Sequence, residues 1–157
     1  MNQIKILNKN EKKEIENTLE EQFGIKEIPG KIVTRGKERL FLFTGNLTDK
    51  QIHELEKTTF IERIGIYFAK KEERMKDIRL SIEGTQILRE QINKNIFSLN
   101  EEQAEEWMKG HELNIKTGKN DFLVMKYKDD FLGTGKASEN KIGNFIPKNR
   151  RLKEKNG

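Results

Sequence analysis

The segment from Asp121 to Ser138 constrains this chain more than any other part, because it alternates as a strand, turns, and alternates again with glycines in its second arm. Phe122, Val124 and Lys126 fall on one side of the first arm and Leu123, Met125 and Tyr127 on the other, which is the period of a β-strand. Lys128-Asp129-Asp130 is the turn. Phe131 and Leu132 restart the pattern, and Gly133 and Gly135 then share one face of the second arm, where a missing side chain marks a bulge, a barrel corner or the close approach of another backbone. Two readings stay open: a hairpin whose glycines serve packing, or one that ends in a backbone-accessible surface with Lys136 beside it.

Gly133-Thr-Gly-Lys136 invites a nucleotide reading that its neighbours refuse. A phosphate loop of the form G-x-x-x-x-G-K-[ST] needs Gly at Asp130 and Ser or Thr at Ala137. A dinucleotide fingerprint would need Gly or Ala at Ser138, and glycines that open a helix rather than close a hairpin.

Along the chain, Asn8 or Asn10 caps a helix carrying Ile15, Leu19 and Phe23, and Gly24 stops it. Lys31–Arg35 and Glu38–Thr44 form a hairpin, Thr48 and Gln51 open a second helix as a capping box, and a strand returns at Phe60–Ala69. The polar run 70–77 is either a domain boundary or a charged hairpin loop. Taken as a boundary, it divides the chain into an N-terminal unit 1–73 and a second unit 74–157. In the second unit we expect a strand at Ile78–Ile82, a helix at Glu83–Arg89, a strand at Asn95–Leu99 and a helix capped by Asn100 and Gln103 that ends at Gly110. Trp107 on that helix is a core anchor or, less in keeping with the usual burial of Trp, a base-stacking platform. A last strand spans Lys141–Ile146. The fold class is α+β, with short strands and small helices arguing for a barrel-like second half.

Chemistry is narrowed by what is missing. With no cysteine there is no disulfide, thiolate zinc site or cysteine nucleophile. Only His53 and His111 exist, His111 placed as a helix-end cation, and no carboxylate pair is set apart in an apolar stretch. We expect no catalytic residue, metal or cofactor. No run is long and apolar enough to cross a membrane, so a cytoplasmic location is expected. Of the formal net charge of +5, the segment 136–157 supplies seven Lys and Arg against two Glu, 7 − 2 = +5, leaving 24 basic and 24 acidic residues before it. A basic end on a balanced chain is a footprint for a polyanion or a solvated tail.

The region from about Asp77 to Arg151 resembles the PUA domain, the RNA-binding module named after pseudouridine synthases and archaeosine transglycosylases. The likeness rests on Ile78-Arg-Leu-Ser-Ile82, Gly110-His-Glu-Leu113, and chiefly Asp121-Phe-Leu-Val with Leu132-Gly-Thr-Gly-Lys-Ala137. The ending Gly143-Asn-Phe-Ile-Pro-Lys-Asn-Arg150 is similar to the C-terminal PUA-like domain of Sun-type RNA cytosine-5 methyltransferases. The whole plan, a small α/β unit and then the barrel, resembles archaeal and eukaryotic ribosome-biogenesis proteins with a pre-PUA and a PUA domain. The family's glycine turn near its first helix is represented by Glu83-Gly84-Thr85, and its Gly-x-Val segment is missing near Asn95. Methyltransferase activity does not carry over, since the attacking cysteine is absent.

The resemblance implies a pseudobarrel completed by its last strand and a non-catalytic protein that docks structured RNA, ribosomal or transfer RNA, in ribosome biogenesis, rRNA processing or RNA modification. The expected contacts are Lys136 and Lys141 flanking Gly133 and Gly135, then Lys148, Arg150, Arg151 and Lys153, with Arg79, Arg89 and Lys94 near the first helix. The alternative is an adaptor whose N-terminal unit binds a ribosomal protein or RNA-modifying enzyme.

Overall fold

The computed structural model describes residues 4–36, 38–45, 48–58, 65–72 and 77–153. Two sheets organise it. The first has five antiparallel strands in sequential order, β1 (Ile4–Ile6), β2 (Lys31–Arg35), β3 (Arg39–Phe43), β4 (Ile66–Lys71) and β5 (Ile78–Leu80). The second has four strands in the order β6 (Ile96–Ser98), β7 (Phe122–Tyr127), β8 (Asp130–Ala137) and β9 (Ile142–Asn144), with β6 parallel to β7 and the other pairs antiparallel. Sequence alternation anticipated most of these strands, and β1, three residues long, was not among them.

Helices α1 (Lys9–Phe23), α2 (Asp49–Thr58), α3 (Ile82–Ile87) and α4 (Glu101–Met108) connect them. Their starts follow the expected chemistry. Asn8 and Glu11 form a reciprocal capping box on α1, as Asn100 and Gln103 do on α4 and Thr48 and Gln51 on α2. Gly24 ends α1 in the left-handed conformation, where its missing Cβ removes the steric cost. Ile82, expected at the end of a strand, instead begins α3, because Ser81 turns the chain and caps the helix by accepting from Gly84 N–H at 3.0 Å.

β7 is the spine of the molecule. Both of its faces are buried: Phe122 and Val124 join a core with α1 and the inner face of the first sheet, while Leu123 and Met125 join a second core around Trp107, Leu113 and Ile142. A third, smaller cluster of Ile4, Val33, Phe41, Phe43 and Ile52 lies on the outer face of the first sheet, where α2 packs.

This arrangement qualifies the two-unit division at 73/74. Residues 73–76 lie outside the described residues, but β4 and β5 on either side form an antiparallel hairpin, closed by Glu72 N–H donating to the Asp77 carbonyl at 3.0 Å. The strands that flank the polar run therefore belong to one sheet. Ile78 and Leu80 pack in one cluster with Ile32, Leu40 and Phe68, and Gln22 on α1 clasps the Ile78 backbone through both N–H and carbonyl, at 2.8 and 3.0 Å. Each half keeps a cluster of its own, but the largest core is shared. Among the described residues no helix is long and apolar enough to span a membrane.

Candidate nucleic-acid interface

A groove of about 560 Å³ opens where the two sheets meet. Its walls come from β3 and β4 (Arg39, Ile66, Tyr67), from β5 and the start of α3 (Arg79, Ser81, Glu83), and from the segment after β9 (Phe145, Asn149, Arg150). The sequence places these groups by local rules. Ser81 N–H donates to the Phe68 carbonyl at 3.0 Å and its hydroxyl to the Tyr67 carbonyl at 2.9 Å, so α3 starts directly on β4. Gly84 makes that approach possible: a Cβ there would stand 2.1 Å from the Phe68 carbonyl oxygen.

Aromatic and guanidinium groups alternate along the groove. The Arg79 guanidinium lies 4.0 Å from the Phe145 ring centroid and pairs with Glu72 at 3.4 Å, and Arg39 sits 5.6 Å from the Tyr67 ring. Phe145 is 39% exposed and Ile66 40%, so the groove presents apolar surface to solvent beside its cations. Burial raises the Tyr67 phenol above its ordinary range against the opposing pull of Arg79 and Arg39, so it stays a neutral hydrogen-bond donor at neutral pH. Arg150 reaches across to Glu83. Three arginines against Glu83 leave the lining with a formal charge of 3 − 1 = +2. Cations held against apolar surface, with aromatic faces between them, suit phosphate and base together.

Of the residues expected from sequence, the groove gathers Arg79, Gly133 and Arg150. The others lie elsewhere. Lys136 donates to the Asn120 and Ala137 carbonyls and lies over the Phe122 ring. Lys141 pairs with Glu112 at 3.0 Å, Arg89 donates to the Asp129 carbonyl at 3.1 Å, and Lys94 reaches the Glu20 carbonyl at 3.4 Å. Lys148 and Lys153 are exposed. The end of the chain is tied down as far as Leu152, which argues against the solvated-tail alternative over that stretch: Arg151 Nε donates to the Ile146 carbonyl at 2.8 Å and Leu152 N–H to the Met108 carbonyl at 2.8 Å.

The glycine strand is corrected as well. Gly133, at φ +80°, sits in a bulge where Leu132 and Gly133 together face Met125, and its N–H donates to the Thr85 hydroxyl at 3.1 Å. Gly135 is buried under Trp107, where a Cβ would stand 2.6 Å from the indole Cη2. The packing reading holds at Gly135, and its backbone is no open surface. Trp107 is wholly buried with its Nε1–H on the Leu132 carbonyl at 2.9 Å, which makes it the core anchor and removes it as a base platform.

Sequence reasoning missed Arg39, Tyr67, Phe145 and Asn149. Phe145 carried a signal: Ile142 and Ile146 face inward, so by strand parity residue 145 faces out. His111 Nδ1 contacts the Glu106 carboxylate just past the end of α4. Among the described residues no cluster of His, Cys, Asp and Glu could hold a metal.

Residues 94–152, less than half of the chain, match the family model described as the methyltransferase RsmF PUA domain. No curated protein matches the chain. Residues 94–152 therefore form a PUA domain related to those that end Sun-type methyltransferases, and PUA domains bind RNA. The match covers β6 to β9 and the segment carrying Phe145 and Arg150; β5 and α3, which form the facing wall of the groove, precede it.

Proposed function

With a PUA domain at residues 94–152 as premise, we propose that this protein is a non-catalytic RNA-binding protein of the cytoplasm. It grips structured ribosomal or transfer RNA through the groove between its sheets and serves RNA modification or subunit assembly. One observation carries the reading: Arg39, Arg79 and Arg150 converge with Tyr67 and the exposed Phe145 on a single groove at the edge of the PUA domain. RNA displays phosphates and 2′-hydroxyls along its helices and unstacked bases at loops and bulges, and this lining offers donors for the first and ring faces for the second.

Fluorescence anisotropy titrations against a labelled transfer RNA and a labelled ribosomal stem-loop test this. Arg79→Gln and Arg150→Gln should each weaken binding to both RNAs by similar factors, because phosphate contacts carry little sequence information. Unchanged affinity in folded variants argues against the groove. Recovery from cell extract of a nuclease-resistant protein complex instead of RNA argues for the adaptor.

A further inference from the structure

The register of the first sheet lines up four cations. Arg35 on β2 lies directly opposite Arg39 on β3, Arg39 opposite Lys70 on β4, and Lys70 opposite Arg79 on β5. Residues directly opposite in antiparallel strands project from the same face. This is the outer face, shared with Val33, Phe41 and Tyr67. At about 4.8 Å per strand the row extends over about 14 Å. Like charges in directly opposite positions destabilise a sheet, and here three successive pairs are alike. Glu38 pairs with Lys70 and Glu72 with Arg79, each at 3.4 Å, which offsets part of the row's formal charge.

The row does not stop at the sheet. Arg79, its last member, stacks on Phe145, and Arg39 and Arg79 both line the groove. Row and groove thus form one track of cations running from the N-terminal sheet into the PUA domain. We infer that the outer face of the N-terminal sheet is a second RNA-contact element, in which Arg35, Arg39, Lys70 and Arg79 follow the sugar-phosphate backbone of the strand that leaves the groove.

The inference rests on the RNA reading above and extends it to a part of the chain outside the family match. It accounts for the self-repelling row: a polyanion neutralises in the complex the repulsion that the free sheet carries. It also revises the charge argument from sequence. The first 135 residues are neutral in sum, yet the strand register sorts their charges so that cations gather on one face.

Arg35 and Lys70 lie outside the groove lining, so the double variant Arg35→Gln/Lys70→Gln separates the two elements. Affinity for a fluorescein-labelled transfer RNA should fall about tenfold, and the slope of log affinity against log salt should become shallower by about 1.4 to 1.8, at ~0.7–0.9 for each phosphate no longer neutralised. The melting temperature of the free protein should stay within about 3 °C of the parent, because the relief of like-charge neighbours offsets the loss of the exposed Lys70–Glu38 pair and surface pairs are worth at most about 1 kcal/mol. Weaker binding with a melting temperature lowered by more than this would give the row a structural role and overturn the inference. Unchanged affinity and slope, while Arg79→Gln/Phe145→Ala weakens binding, would overturn the inference and leave the RNA reading standing. If neither variant weakens binding, both fall.

Discussion

Replacing Gly135 by alanine tests whether the glycine strand is made for packing or for a ligand. The added methyl would stand 2.6 Å from Trp107 Cη2, 2.6 Å from Ile142 Cγ2 and 2.9 Å from the Gly143 carbonyl. Non-bonded carbons rest at about 3.5–4.0 Å, so both side chains must withdraw by about 1 Å. Trp107 has no room for this, being wholly buried and held by its Nε1–H on Leu132 at 2.9 Å. Overpacking of this kind costs about 1–3 kcal/mol. Straining the indole hydrogen bond adds on the order of 1 kcal/mol. The expected loss of about 2–4 kcal/mol lowers the melting temperature by roughly 5–15 °C for a chain of this size. Urea denaturation followed by circular dichroism measures it, and Trp107→Phe supplies the control. That change removes the atom the methyl strikes, so the double variant should cost less than the sum of the single ones by about 1 kcal/mol or more. A Gly135→Ala protein within ~0.5 kcal/mol of the parent that nevertheless fails to bind RNA would refute the packing argument and return Gly135 to the binding surface.

Three further outcomes follow from the fold. Asn100→Ala breaks the capping box on α4 and should cost about 1 kcal/mol in urea denaturation, with RNA affinity unchanged in the folded state. Asp77 titrates above its ordinary range, chiefly because it is desolvated and also because Asp121 is near, with Lys136 opposing; a folded-state pKa raised in this way contributes stability at acid pH that is lost as pH rises through it, so Asp77→Asn should gain stability relative to the parent on going from pH 3 to pH 7. The shared core predicts a single unfolding transition for the full chain. A fragment of residues 75–157 would leave Leu80, Phe122, Val124 and Phe131 without their partners on α1 and β2 to β4, at about 1.5–3 kcal/mol each, and should lack amide dispersion.

What could be read from the sequence was local. Capping boxes involve residues three apart, and the β7–β8 hairpin carries its own alternation and turn, so Asn100 announced its role, Asn8 was one of two candidates, and Gly133 stood open between a bulge and a binding surface. The outward Phe145 was legible by parity and was overlooked. The cation row was not legible. It depends on which residue of β3 faces which residue of β4, and the register of that pair shifts between Leu40 and Phe41, so counting by twos from either strand fails to align Arg39 with Lys70. A linear tally of charge likewise pointed to the chain's end, where Arg151 turned out to serve the Ile146 carbonyl. The polar run 70–77 was open to two readings for a related reason: a polar run closing two strands and a polar linker between units have the same composition, and only the pairing of Lys70 with Arg79 bears on the choice.

Ultraviolet crosslinking of the full chain to transfer RNA, followed by mapping of the modified peptides, tests the central claim most directly. The aromatic rings that line the groove are the reactive groups nearest to a bound base. Crosslinks should fall on Tyr67 in β4 and on Phe145 after β9, and should disappear under excess unlabelled RNA. Crosslinks confined to α1, or to the face that carries Lys94 and Lys119, would place RNA on the other side of the molecule and contradict the account.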